Sequence, residues 1–96
     1  MKSEIQFINE KLLNSFEKLS NSNYEDKELV KFIKRAFEDI KENPFCGIQT
    51  PKKQILKIYL QKHQIKNLWK YNLPNAWKLL YSIKSGKIFI TQITIK

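Results

Sequence analysis

Beyond Glu42 the sequence has no acidic residue. All nine Asp and Glu side chains precede Asn43, where seven lysines and Arg35 bring the net charge to −1; the rest of the chain carries ten lysines and no acid, a net charge of +10. Cysteine is almost as scarce. Cys46 stands alone, so no intramolecular disulfide can form; it reads as a small buried apolar residue in a protein suited to a reducing compartment. With one histidine, one cysteine and no late carboxylate, the chain offers no convincing metal-ligand cluster, and no metal is expected. Gly47 and Gly86 are the only glycines, too few for a phosphate-cradling glycine loop, and no cofactor is expected. No run of about 18 apolar residues occurs, and no basic segment followed by an apolar one opens the chain. Neither a membrane span nor a secretory signal is expected, and the expected location is the cytoplasm.

What is present suits one compact domain over residues 1–96. Apolar residues make up 42% of the chain, enough for a single core of one sheet and two or three helices. A long one-sign field attracts polyanions and steers them in at a salt-dependent rate, so nucleic acid is the leading class of partner. A lysine-rich surface reflecting A/T-rich coding explains the seventeen lysines but not the missing acids. An anionic membrane fits less well, because no helix is both strongly amphipathic and basic throughout.

Along the chain, Ile5 and Phe7 alternate with Glu4 and Gln6, as in a short strand, although Ser3 with Gln6 also matches a helix-opening capping box. Asn9 reads as the N-cap of a helix with Leu12, Phe16 and Leu19 on one stripe, ended by Asn21-Ser22-Asn23. A second helix is predicted from about 25 to 42, with Leu29, Ile33, Phe37 and Ile40 on one face and Pro44 beyond its end. The pair should form an antiparallel hairpin covering a sheet. Residues 44–51 read as a loop whose Phe45 and Ile48 tuck under the fold, and 51–64 as a short, irregular, lysine-rich helix. Strands are predicted at about 67–73 and 76–84, joined by a tight turn at Pro74-Asn75, and then at 87–96 after the two-residue turn Ser85-Gly86. The apolar parity of the last strand changes between Ile90 and Ile93, as a bulge or burial on both faces would require. The expected class is α+β: a twisted, mainly antiparallel sheet of one short N-terminal and three C-terminal strands, packed by a two-helix hairpin.

This order, with Asn43-Pro44-Phe45-Cys46-Gly47, Pro51-Lys52-Lys53, Asn67-Leu68-Trp69-Lys70-Tyr71, Leu73-Pro74-Asn75 and Trp77-Lys78-Leu79-Leu80-Tyr81-Ser82-Ile83, resembles the RelE/ParE superfamily of type II toxins, the archaeal-type RelE-like branch above all. The resemblance implies a small α+β domain and metal-free endoribonuclease action on ribosome-bound messenger RNA. It also implies a cognate acidic antitoxin that covers the basic face. The ParE branch instead implies gyrase inhibition. RelE toxins place a key Arg in the pattern that here holds Lys78, which keeps the charge but not the bidentate fork. Their catalytic lysines on the preceding strand correspond here to Trp69 and Tyr71, and relatives usually continue past the last strand with an Arg or His and a Tyr. That acid/base segment is not expected in a sequence that runs to Ile95-Lys96. A non-catalytic or degenerate RelE-fold protein that binds RNA or an antitoxin is therefore the alternative.

Lys78 and His63 are the candidate catalytic residues. Lys78 supplies positive charge for a pentacoordinate phosphate, and His63 has the one side chain whose ordinary pKa suits acid/base work near neutrality. The bland readings are a lysine stem lying along the sheet and a surface histidine. Lys52, Lys53, Lys57, Lys70 and Tyr71 are candidate RNA contacts, against a plain solvated basic surface. Trp69 and Trp77 read as packing residues and Tyr81 as core, on the strand face opposite Lys78.

Overall fold

A computed structural model describes residues 4–20, 24–55, 57, 61 and 65–95. Two helices pack on one face of a five-stranded mixed sheet: β1 (Glu4–Phe7), α1 (Glu10–Ser20), α2 (Tyr24–Glu42), β2 (Ile48–Gln49), β3 (Trp69–Asn72), β4 (Trp77–Lys84) and β5 (Lys87–Ile95). The strand order is β1-β5-β4-β3-β2, with β1 parallel to β5 and every other pair antiparallel. The first segment is thus a strand, paired Ile5 to Ile88 and Phe7 to Ile90, and the capping-box alternative fails. The cap is one element later, where Asn9 Oδ1 accepts from the Leu12 N–H at 2.9 Å.

The apolar stripes of the helices close over one sheet face. Ile33, Ala36 and Ile40 of α2 are fully buried against Leu79, Tyr81, Ile88 and Ile90. Phe7, Phe16 and Phe37 tie β1, α1 and α2 together, with ring centroids 5.5 to 6.1 Å apart. Trp69, Tyr71, Trp77 and Ile83 pack on the same core, so both tryptophans are packing residues and Tyr81 is core.

Two turns shape the hairpins. Ser85 (φ 52) and Gly86 (φ 76) form the two-residue link with both residues left-handed that a right-twisted hairpin requires. At Pro74–Ala76, Asn75 and Ala76 also have positive φ (62 and 66), and the Leu73 N–H closes the turn onto the Trp77 carbonyl at 2.8 Å. In β4–β5 the register shifts between Leu80, opposite Gln92, and Tyr81, opposite Ile90. Thr91 is the extra residue, buried and donating through Oγ1 to the Leu80 carbonyl at 3.1 Å. This bulge is the cause of the parity change.

Three expectations fail around the 44–51 stretch. It contains the edge strand β2 rather than loop alone, giving five strands instead of four. Phe45 and Ile48 do not tuck under the fold but are 64% and 55% exposed. Cys46 is exposed as well, not buried. The common reason is a junction described below, which spends its buried volume on Gly47 and Tyr81 and turns the neighbouring side chains outward. Beyond the turn at Lys52–Gln54, the irregular helix expected over 51–64 falls largely outside the described residues.

Candidate nucleic-acid interface

The alternation of β3 and β4 sorts their side chains into two sets. Trp69, Tyr71, Trp77, Leu79 and Tyr81 go to the helix side, and Lys70, Lys78, Leu80, Ser82 and Lys84 go to the other. Pairing then brings the lysines together. Lys70 is opposite Leu80 and Lys78 is opposite Asn72, so Lys70 and Lys78 are diagonal neighbours on one face, with Cβ atoms about 7 Å apart. Ile48 extends the Lys70 row at the sheet edge and Gln92 of β5 completes it beyond Leu80, while Thr94 is opposite Lys78. Both lysines are half-buried. Strands β2 to β5 contain no carboxylate, and the one acid of the sheet, Glu4 of β1, pairs with Lys87 at its other edge. Such a face can hold phosphate groups at two adjacent points.

The other candidates are placed differently. Tyr71 lies on the opposite face, where its hydroxyl donates to Asp39 Oδ2 of α2 at 2.5 Å. That bond, joined by partial burial, pushes the phenol up to about 12. Lys52 and Lys53 are exposed on the turn after β2, and Lys57 is exposed further along the same connection. His63 lies outside the described residues. The structure therefore joins Lys70 to Lys78, and it separates both from Tyr71.

The chain matches no protein-family model, no curated protein and no solved structure. Its functional reading rests on the geometry. Among the described residues, no group of three or more His, Cys, Asp or Glu side chains could hold a metal, and no helix is long and apolar enough to cross a membrane.

Two features that the residue pattern did not reveal position this face. The first is a junction under the edge strand. Tyr81 Oη donates to the Pro44 carbonyl at 2.7 Å and accepts from the Gly47 N–H at 3.1 Å, and burial pushes this phenol up to about 12. Gly47 passes so close to the sheet that a Cβ there would stand 2.7 Å from both the Lys70 carbonyl oxygen and Tyr81 Oη. An Asx turn, Phe45 N–H to Asn43 Oδ1 at 3.1 Å, and an edge-on Phe45–Trp69 contact at 5.4 Å complete it. Although Cys46 is exposed, partial desolvation of its thiol raises the pKa. The second feature is Asn67, whose amide behaves as one more rung of the ladder. Its Nδ2 donates to the Ile83 carbonyl and its Oδ1 accepts from the Ile83 N–H, both at 2.8 Å. It holds the chain entering β3 against β4, beside a cleft of about 450 Å³ reached by Lys66, Lys84 and Phe89. The hairpin pattern gave one signal of this cleft: a two-residue turn at Ser85-Gly86 sets Lys84 directly opposite Lys87.

Proposed function

We propose that this chain is a RelE-like toxin that engages ribosome-bound messenger RNA through the Lys70–Lys78 face and cleaves it without a metal. Lys78 would stabilise the phosphate as the ribose 2′-oxygen, losing its proton, attacks phosphorus and the 5′-oxygen leaves with a proton. One observation carries the reading: two half-buried lysines lie diagonally on the sheet face away from the helices, in a half of the chain that has no carboxylate. The order strand, helix, helix and then antiparallel strands supports it, being the architecture that the resemblance implies. An acidic antitoxin is the natural protein partner of the same surface, by charge complementarity.

A second reading, a non-catalytic RNA- or antitoxin-binding protein of this fold, is favoured by the tyrosines. Tyr71 and Tyr81 are the phenols nearest Lys78 in the described sequence, yet both are hydrogen-bonded on the helix side and pushed up to about 12. Neither serves as acid or base beside Lys78.

Induction of the wild type and of Lys78→Ala in cells, with primer-extension mapping of transcripts, separates these readings. Growth arrest with new 5′ ends for the wild type, abolished in Lys78→Ala, is the expected result. Unaffected growth and transcripts with either protein rule out the nuclease and leave the binding function. Arrest with intact transcripts and halted replication transfers the assignment to a gyrase inhibitor.

A further inference from the structure

The face that carries Lys70 and Lys78 continues along β4 through Leu80 and Ser82 to Lys84. There it meets the cleft between the β4–β5 hairpin and the segment entering β3. The walls of this cleft divide by chemistry. Phe89, Ile65 and Ile8 are apolar, and Lys66 and Lys84 bring two ammonium groups to its exposed margin. Asn67 and Ser82 lie deeper, and the Asn67 amide is already spent on Ile83, so the polar part of the floor needs no ligand to satisfy it. Among the described residues neither Lys66 nor Lys84 has an ion-pair partner, which leaves both ammonium groups as the cleft's donors. Across the hairpin Lys84 directly opposes Lys87, a like-charge pair that costs stability, and the register places only Glu4 of β1 beside Lys87. An anion at this end of the sheet offsets that repulsion. The volume lies within the roughly 300–1,000 Å³ of ligand pockets.

An aromatic wall with two cations at the rim fits a planar base that carries a phosphate. We infer that the cleft is a nucleobase subsite for single-stranded RNA. The base stacks on Phe89, its phosphates lie on Lys66 and Lys84, and the strand continues over Leu80 toward Lys78, about 20 Å away along β4. The inference deepens the RNA reading of the Lys70–Lys78 face and rests on it.

Fluorescence anisotropy with a 5′-labelled single-stranded RNA hexamer, over a series of salt concentrations, tests it. Phe89→Leu keeps apolar bulk but removes the π face, and should weaken binding about tenfold with the salt slope unchanged. Phe89→Tyr should restore wild-type affinity, which a merely structural role for Phe89 would not predict of a hydroxyl-bearing ring. The Lys66→Gln/Lys84→Gln pair should flatten the slope of log K against log salt by about 1.4, and Lys70→Gln/Lys78→Gln should do the same independently. In an NMR titration, adenosine monophosphate should shift the amides of Lys66, Lys84 and Phe89, whereas inorganic phosphate alone should not. Wild-type affinity in a folded Phe89→Leu, with the slope still reduced by Lys70→Gln/Lys78→Gln, overturns the cleft and leaves the RNA face standing. Binding of the mononucleotide without any binding of RNA overturns both the RNA face and the RNA source, and makes the cleft a free-nucleotide site. Binding of neither overturns both proposals.

Discussion

Gly47→Ala tests how the edge strand is held. A methyl group at this position would lie 2.7 Å from the Lys70 carbonyl oxygen and 2.7 Å from Tyr81 Oη, well inside van der Waals contact. Neither neighbour yields easily. Lys70 is paired on both sides, with Ile48 and Leu80, and the fully buried Tyr81 is fixed by its bond to the Pro44 carbonyl. The 43–49 segment must therefore move away from the sheet, losing the Gly47 N–H bond to Tyr81 and straining the short β2–β3 pairing. Overpacking of about 1–3 kcal/mol together with about 1 kcal/mol for the lost bond gives a cost of about 2–4 kcal/mol. In a domain of this size that lowers the melting temperature by about 8 °C or more. Tyr81→Phe alone should cost about 1–2 kcal/mol, because it removes both bonds of the hydroxyl. In the double variant one of the two clashes is gone and the shared bond cannot be lost twice, so the combined cost should fall short of the sum by about 1 kcal/mol. Urea unfolding followed by tryptophan fluorescence measures all three, and Trp69, stacked 6.5 Å from Tyr81, reports on this site. A neutral Gly47→Ala, or costs that add within about 0.5 kcal/mol, would refute the junction.

Alkaline titration should reveal the two buried-side phenols. Tyr71 and Tyr81 are raised from 10.0 to about 12, so the fold favours their neutral forms; the stability this confers is complete below pH 10 and lost as pH rises toward 12. Asp39→Asn removes the largest cause of the Tyr71 shift. It should lower that phenol's midpoint, seen by phenolate absorbance, while leaving Tyr81 high, and an unchanged titration curve would contradict the Asp39 bond. Asn67→Ala should cost about 1–3 kcal/mol and speed hydrogen exchange at the Ile83 amide, which loses its acceptor; unchanged exchange there would show that water or backbone replaces the side chain.

The layers of the fold are legible in the sequence because each rests on a local rule. The 3.6-residue stripe of 25–42, the Asn9 cap, the Ser85-Gly86 turn and the parity change at Ile90 to Ile93 each follow from neighbours a few residues apart. What could not be read there is long-range. Gly47 carries no positive-φ signature that would betray it; its need for a missing side chain comes from Lys70 and Tyr81, more than twenty residues away. Phe45 and Ile48 look like core residues by type, and only the pinning of Pro44 and Gly47 by Tyr81 turns them outward. The site divides in the same way. Period-2 alternation separates Lys70 from Trp69 and Tyr71, but strand register is needed to place Lys70 diagonal to Lys78, and the cleft needs three separate segments to exist.

Chain order becomes surface charge through this topology. Every carboxylate lies in the first 42 residues, which form β1 and the two helices, while the acid-free remainder forms four of the five strands and their connections. Because both helices pack on the same face, the carboxylates of α1 and α2 lie on the helix side of the sheet, and Asp39 is further engaged with Tyr71 there. Even the smallest extent of the molecule is 23 Å, against a Debye length of about 8 Å at physiological ionic strength. A polyanion lying on the Lys70–Lys78 face therefore experiences the lysines beneath it and little of the acids on the outer side of the helices. The net charge of +9, already large for 96 residues, understates the field at that face, because the carboxylates of both helices lie more than a screening length from it.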